Sequence, residues 1–274
     1  MDLDLRCAPV QPRPPILFIH GAWVTARCWD PFVGYFSAHG YSCLAPNWPH
    51  RDAPPARLRE SPPPELAGLG VTEIVDHYAR AIGVLPEPPI LIGHSYGGLF
   101  VQVLLDRGLG RAGVAISPAP PRGVLALYPT SIRANFGVLR RWGGWHKIIP
   151  PSFGEFSYGF LNNVAPAERR AIYDAQAVPE TGRIFYQAAF ALLDGDKATY
   201  VNFANSTRAP LLMTAGTNDH NVAPAMVRVN YAKYRASPAQ TDYQEFHGRS
   251  HWVIAESGWE EVASAVAAWL DALP

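Results

Sequence analysis

The sequence has few cysteines and no long apolar run. Its 274 residues include three cysteines, Cys7, Cys28 and Cys43, and their odd number and loose spacing do not indicate a disulfide framework or a zinc site. We expect them to be buried or surface thiols. Because no stretch of about 18 apolar residues occurs, a membrane-spanning helix is not expected.

The charges of the chain balance, since 23 basic and 23 acidic residues give a formal net charge of zero. No long basic run occurs, so neither a nucleic acid nor an anionic membrane is expected as a partner. The N-terminal residues 1–15 lack a basic stretch followed by an apolar run. A signal peptide is therefore not expected, and the cytoplasm is the default location.

Strand patterns and helical patterns alternate along most of the chain. This order predicts one large α/β domain with a mostly parallel central sheet flanked by helices. A capping box at Ser257–Glu260 is predicted to open the last helix. The segments that we predict to be strands are 16–19, 41–45, 90–92, 114–116, 211–213 and 241–246.

The alternation stops between residues 118 and 207. This segment has helical patterns and many aromatic residues but no clear strand. At roughly 90 residues it is too long for a structureless loop. We therefore predict a core made of residues 1–117 and 208–274, with residues 118–207 inserted as a helical lid.

The pentapeptide Gly93-His94-Ser95-Tyr96-Gly97 carries the strongest chemical signal. It matches G-x-S-x-G and stands between an apolar strand and an apolar helix, the context that this motif requires. The sharp turn strains the serine backbone and projects its hydroxyl above the sheet, and the following helix N-terminus favours negative charge. We predict that Ser95 is a nucleophile.

The loop after the first strand, His20-Gly21-Ala22-Trp23, is predicted to help bind an oxyanion. In this architecture one donor comes from that loop and the other from the residue after the nucleophile. We assign the two donors to the backbone N–H groups of Ala22 and Tyr96. If the loop is shifted by one residue, the first donor is the N–H of Trp23 instead of the N–H of Ala22.

A serine nucleophile needs a base and a group that orients the base. His251 follows the last strand, so its loop opens at the same sheet edge as the sharp turn at residues 93–97, which we call the elbow. His247 is the alternative base. His94 and His20 are expected near the site without acting as base. Asp219 follows a strand and precedes His251, which suits the orienting acid, although it could instead cap the turn before the next helix.

On these residues the chain resembles the α/β-hydrolase superfamily from about Ile16 to the C-terminus. It is most similar to compact, cofactor-free esterases and lactonases, such as plant methyl esterases and bacterial acyl-homoserine-lactone hydrolases, which share His-Gly-Ala-Trp. The resemblance implies a Ser95–Asp219–His251 triad without a metal or cofactor. Little room precedes Ile16, so six strands are expected rather than eight. Trp252 stands where hydroxynitrile lyases of this fold carry lysine, which disfavours that activity.

The expected substrate is a small carboxylic ester or lactone with an apolar acyl or aromatic part, and the expected state is a monomer or small homo-oligomer. Two alternatives remain: a cofactor-free lyase, perhydrolase or dioxygenase on this scaffold, or a non-catalytic small-molecule receptor. The aromatics of the insertion either line a pocket or pack the lid on the core. The residues that we predict to bind substrate are Trp23, His94, Trp142, Trp145, Phe153, Tyr158 and Trp252.

Overall fold

Six parallel strands form the central sheet of the structure, a computed structural model that describes residues 13–125 and 128–274. The described residues contain eight strands in all, of which β5 and β6 lie outside the central sheet. They are β1 (Ile16–Ile19), β2 (Cys43–Leu44), β3 (Ile90–His94), β4 (Ala112–Ile116), β5 (Ile148–Ile149), β6 (Glu180–Thr181), β7 (Leu211–Gly216) and β8 (Thr241–Phe246). The central sheet has the order β2-β1-β3-β4-β7-β8. The predicted α/β fold with six strands is thereby confirmed.

Ten α-helices surround the sheet in the described part of the chain. They are α1 (Asp30–Ala38), α2 (Pro55–Glu60), α3 (Val71–Gly83), α4 (Tyr96–Asp106), α5 (Pro129–Leu139), α6 (Phe153–Gly159), α7 (Pro166–Gln176), α8 (Arg183–Ala189), α9 (Pro224–Lys233) and α10 (Trp259–Asp271). Proline stands in the first turn of α1, α2, α5, α7 and α9. A first-turn N–H has no partner within its helix, so proline costs no hydrogen bond there and presets the helical φ.

The inner strands are apolar because helices cover both faces of the sheet. Every residue of β1, β3, β4 and β7 is buried. Their register pairs Ile16 with Ile90 and Ile92 with Val114. Because parallel strands end at the same edge, β3 and β7 carry the loops that follow them to one side of the sheet.

Residues 118–207 lie between β4 and β7 and contain α5 to α8. The helical character predicted for this segment is present, but β5 and β6 also form a short antiparallel ribbon there, with Ile148 paired to Thr181. The expectation of no strand was therefore wrong. A two-residue strand is too short to show a recognisable alternation of apolar and polar residues in the sequence.

The predicted capping box at the last helix is also wrong. Gly258 precedes α10 in a left-handed conformation with φ 80°, and no side chain caps the helix. Glycine adopts this φ without steric cost. The Ser257 carbonyl instead accepts a hydrogen bond from Arg249, so this turn is bound to the loop that precedes it.

Two of the three cysteines lie within the described residues, and both are free thiols, Cys28 buried and Cys43 partly buried. Cys7 and most of the N-terminal segment 1–15 lie outside the described residues. In residues 13–125 and 128–274, none of the helices combines the length and apolar character that crossing a membrane requires.

Candidate active site

Ser95 occupies a strained turn between β3 and α4. Its backbone has φ 57° and ψ −120°, which is uncommon for a residue other than glycine. Gly93 and Gly97 make the turn possible, because a Cβ on Gly93 would overlap the backbone of Gly97, and one on Gly97 would overlap the carbonyl of Ile19. The two motif glycines therefore allow the strand, the turn and the neighbouring β1 to approach closely.

Hydrogen bonds from the end of β4 hold this turn in place. The Ser95 N–H donates to the carbonyl of Ile116 at 3.0 Å, and the Ser95 carbonyl accepts from the N–H of Ala119 at 2.9 Å. Both backbone groups of Ser95 are thus bound by the neighbouring strand and its loop. Strained conformations persist where surrounding contacts determine them in this way.

Asp219 and His251 form a buried pair at the same edge of the sheet. His251 Nδ1 lies 2.7 Å from Asp219 Oδ2, and the side chains are 1% and 0% exposed. A carboxylate only accepts hydrogen bonds, so Nδ1 carries the proton and Nε2 is left as an acceptor. Asp219 Oδ1 accepts from the N–H groups of Asn221 and Val222, both at 2.8 Å. The aspartate thus caps its turn and orients the histidine at once.

His94 contacts both the backbone and the ring of His251. Its Nε2 donates to the carbonyl of His251 at 2.9 Å, and the two rings are 4.6 Å apart. Burial lowers the pKa of His94 well below its ordinary value, so the ring is neutral. Phe160 packs edge-on against the His251 ring at 4.8 Å. These contacts restrict the orientation of the imidazole.

The loop after β1 brings further groups to Ser95. In the described part of the chain, the N–H groups of Ala22 and Tyr96 have no hydrogen-bond acceptor. Tyr96 is the first residue of α4, where such free N–H groups are expected. The N–H of Trp23 is already engaged, since it donates to Glu180 Oε2 at 3.2 Å. Ala22 therefore suits an oxyanion donor better than Trp23 does.

His20 fixes the start of this loop. Its Nε2 accepts from the N–H of Trp48 at 3.1 Å, so its Nδ1 carries the proton and donates to the carbonyl of Gly21 at 2.8 Å. Burial, helped by the nearby positive charge of Arg51, lowers the pKa of His20 to about 3. A neutral, fully buried ring with both nitrogens engaged supports the loop and is not available as a base.

An apolar cavity of about 490 Å³ opens onto Ser95 and His251. Its wall combines loops of the core with helices α5 and α8 of the insertion. Few polar groups face it besides Ser95 and His251. The wall residues from the insertion include Ser131, Ile132, Asn135, Leu139, Phe160, Phe185, Ala188, Ala189 and Phe190.

Of the seven residues predicted to bind substrate, only Trp23 lines this cavity. His94 lies behind His251, and Trp252 is buried near Phe160, with ring centroids 6.4 Å apart. Both side chains therefore lie outside the cavity wall. Their positions next to the motif residues in sequence gave no information on the direction of their side chains.

The insertion aromatics Trp142, Trp145, Phe153 and Tyr158 also lie outside the cavity wall. Trp142 is 88% exposed and contacts Trp145 edge-on. Phe153 packs against Tyr173. These four side chains instead contact other residues of the insertion or, in the case of Tyr158, the ring of His220.

Sequence reasoning missed Phe185, Leu139 and Glu180. Phe185 packs on the Trp23 ring at 4.6 Å and lines the cavity, as does Leu139. All three residues come from the insertion, where no motif marks them. Phe160 is one of the insertion aromatics for which a place at the pocket was considered, but nothing in the sequence distinguished it from its neighbours.

Within the described residues, no group of three or more histidine, cysteine, aspartate or glutamate side chains is arranged to hold a metal ion. The Ser95 hydroxyl and the His251 imidazole, which is hydrogen-bonded to the Asp219 carboxylate, lie at the wall of an apolar cavity.

Solved structures of known proteins share this architecture. A monoacylglycerol lipase from Paleococcus ferrophilus is 22% identical with TM-score 0.65, and 93% of each chain is covered. A pyrethroid hydrolase from Sphingobium faniae is 17% identical with TM-score 0.62, covering 94% of this chain and 98% of that one. A methylesterase from Arabidopsis is 14% identical with TM-score 0.68, covering 95% and 100%.

At these identities the structural likeness establishes the fold. No match was found among curated protein sequences. The family model described as "Alpha/beta hydrolase family" matches residues 16–265, which includes the elbow, Asp219 and His251. The chain therefore belongs to the α/β hydrolase family.

Proposed function

We propose that the protein is a serine hydrolase that cleaves carboxylic esters or lactones with an apolar acyl or aromatic part. The observation that carries this proposal is the buried Asp219–His251 hydrogen bond, which lies beside the strained Ser95 at an apolar cavity. In the described residues no hydrogen bond joins Ser95 and His251, and such bonds often tighten only when substrate is bound.

The proposed reaction has two acyl-transfer steps. His251 Nε2 accepts the Ser95 hydroxyl proton while Oγ attacks the ester carbonyl, and the same proton then passes to the leaving alcohol. The alcohol departs and leaves an acyl group on Ser95. Water gives a proton to His251 as it attacks the acyl carbon, and that proton then passes to Ser95 Oγ as the acid departs. Asp219 orients the imidazole and stabilises its charged form throughout.

The negative charge on the tetrahedral oxygen is proposed to be bound by the N–H groups of Ala22 and Tyr96. Both groups are free, and Tyr96 stands at the N-terminus of α4, whose dipole favours negative charge. Fixed donors of this kind contribute about 3 kcal/mol each to transition-state stabilisation. No metal or cofactor is part of the proposed mechanism.

The proposed substrate class rests on the cavity. Its walls are mostly apolar, so the acyl or alcohol part that enters gains binding energy by leaving water, about 25 cal/mol per Å² of apolar surface. The insertion 118–207 is proposed to act as the lid that supplies one side of this wall. The structurally similar proteins described above are a lipase, a pyrethroid hydrolase and a methylesterase, and these activities support an ester substrate.

The proposal is tested by assaying the purified protein on p-nitrophenyl esters of rising chain length and on simple and acylated lactones. We expect turnover, and we expect a fluorophosphonate to abolish it by adding its mass to the peptide that contains Ser95. Turnover that persists after full labelling would contradict the proposal. Labelling without any ester or lactone turnover would favour the lyase, perhydrolase or dioxygenase alternative. Neither labelling nor turnover would favour a receptor.

Chain-length selection should depend on the cavity wall contributed by α8. We expect Ala188→Phe to lower kcat/KM for long-chain esters by about tenfold or more, because the added ring occupies space that the acyl chain needs. Acetate esters should be little affected. The measurement is the ratio of kcat/KM values for octanoate and acetate esters.

Two variants serve as controls for this prediction. Ala268→Phe makes the same change on an exposed face of α10, and Trp145→Ala removes an aromatic that lies outside the cavity wall. Both are expected to keep the wild-type ratio. If Trp145→Ala changed the ratio and Ala188→Phe did not, the proposed binding cavity would be wrong.

A further inference from the structure

A fully buried ion pair lies behind the loop that follows β1. Arg51, from the loop after β2, pairs with Glu180 of β6, and the two side chains are 1% and 0% exposed. Charged side chains are almost never buried this deeply without a partner, because removal from water is costly. The pair therefore needs an explanation beyond the general stability of the fold.

The pair binds the backbone of the loop on both sides. Glu180 Oε2 accepts from the N–H of Trp23 at 3.2 Å, and Arg51 Nη1 donates to the carbonyl of Val24 at 3.0 Å. The Trp23 carbonyl accepts from the N–H of Val178 at 2.9 Å. Three polar backbone groups of Trp23 and Val24 are thus bound by residues outside the loop.

The loop needs such support because Trp23 has φ 63°. A bulky side chain rarely adopts this conformation, which persists only where neighbouring contacts impose it. Trp23 directly follows Ala22, a residue that lines the same cavity as Ser95 and whose N–H has no acceptor among the described residues. A change at Trp23 would therefore redirect or displace the Ala22 N–H.

The pair is also part of one packed cluster. The Arg51 guanidinium lies 5.0 Å from the Trp48 ring, which stacks on His20 at the start of the loop. Burial raises the pKa of Glu180, and Arg51 and the N–H donors to the carboxylate oppose that rise. Arg51 and the N–H groups of Trp23 and Thr181 thus favour the charged form of the Glu180 side chain, which burial disfavours.

We propose that Arg51 and Glu180 are positioning residues that hold loop 20–24 so that the Ala22 N–H points at the substrate oxyanion. This inference rests on the proposed function. Because Glu180 lies in the insertion, it also means that the insertion contributes to transition-state binding as well as to the cavity wall. Neither residue touches the cavity, so both act through Trp23 and Val24.

The test removes both charges together. Removing one partner would leave a buried unpaired charge and risk unfolding, whereas replacing both partners with apolar residues is often neutral for stability. In Arg51→Met/Glu180→Met we expect an unchanged fold and a kcat lower by about 100-fold, because a displaced oxyanion donor loses most of its effect. KM should change much less than kcat. Inactivation by a fluorophosphonate, whose phosphoryl oxygen uses the same donors, should slow in parallel.

A second variant separates the hydrogen bond from the charge. Arg51→Met/Glu180→Gln restores an acceptor for the Trp23 N–H, so it is expected to recover kcat to within about tenfold of wild type. If Arg51→Met/Glu180→Met fails to fold, Arg51→Met/Glu180→Gln is compared with Arg51→Met/Glu180→Leu instead, since only the glutamine provides an acceptor. Equal kcat losses with and without the acceptor would overturn the proposal, as would unchanged kcat in all double variants.

The control is another ion pair between the insertion and the core. Arg183 pairs with Glu73 at 3.0 Å and has no hydrogen bond or ion pair to loop 20–24 among the described residues, so Glu73→Met/Arg183→Met should keep wild-type kcat. The wild type and Ser95→Ala are assayed alongside. Turnover in the wild type that does not depend on Ser95 would overturn both the proposed function and this inference. Ser95-dependent turnover that is unaffected by the Met/Met change would overturn the inference alone.

Discussion

Ser95→Ala is expected to lower kcat for ester hydrolysis by about 10⁴-fold or more while leaving the fold intact. Alanine lacks the hydroxyl that forms the acyl-enzyme, and the residual rate would come only from substrate binding and the oxyanion donors. Alanine also fits the space, since Ser95 is almost fully buried and its hydroxyl makes no hydrogen bond in the described residues. Steady-state kinetics and thermal unfolding measure the two effects.

The matched control is Ser157→Ala. Ser157 is also buried, its hydroxyl has no partner among the described residues, and it does not line the cavity. The control should keep wild-type kcat and a similar melting temperature. A Ser95→Ala protein with more than a tenth of wild-type activity would exclude the covalent mechanism, whatever the control showed.

Asp219→Asn is expected to lower kcat by about 10⁴-fold with little loss of stability. The single amide oxygen of asparagine can still accept from the N–H groups of Asn221 and Val222, which bind Oδ1 in the native turn. The amide NH₂ then faces His251 Nδ1 and donates to it. His251 would carry its proton on Nε2 and could not accept the proton of Ser95.

A turn-capping aspartate outside the site provides the control for this prediction. Asp194 Oδ2 accepts from the N–H of Ala198 at 2.9 Å, so Asp194→Asn preserves a similar cap without affecting His251. The two variants should unfold at similar temperatures, while only Asp219→Asn loses activity. If Asp219→Asn kept its activity, the orienting role would belong to another group.

The predictions for residues 93–97, Asp219 and His251 and the predictions for the aromatics of the insertion had different outcomes, and the reason is physical. The elbow at 93–97 is contiguous, and its steric demands involve its own residues and the adjacent β1, so a short motif contains most of the information. Asp219 and His251 are far apart in sequence, but parallel strands end at one sheet edge, and each residue follows such a strand. Chain order was therefore enough to predict that they lie close together.

The insertion lacks such a rule. Trp142 and Phe185 are both aromatic residues near helices, yet Trp142 is 88% exposed and Phe185 is buried against Trp23. The direction of a side chain on a short helix depends on how that helix docks on the core. Composition predicts that some aromatics of residues 118–207 face the cavity, but it does not predict which ones.

The sequence by itself determined the α/β fold, the strained turn at Ser95 and the approach of Asp219 to His251. These features follow from apolar periodicity, glycine sterics and the common edge of parallel strands. Only the tertiary structure decided which insertion residues form the cavity wall and that Arg51 meets Glu180 behind Trp23. Those contacts join segments with no shared pattern, and their geometry arises from the packing of the insertion against the loop after β1.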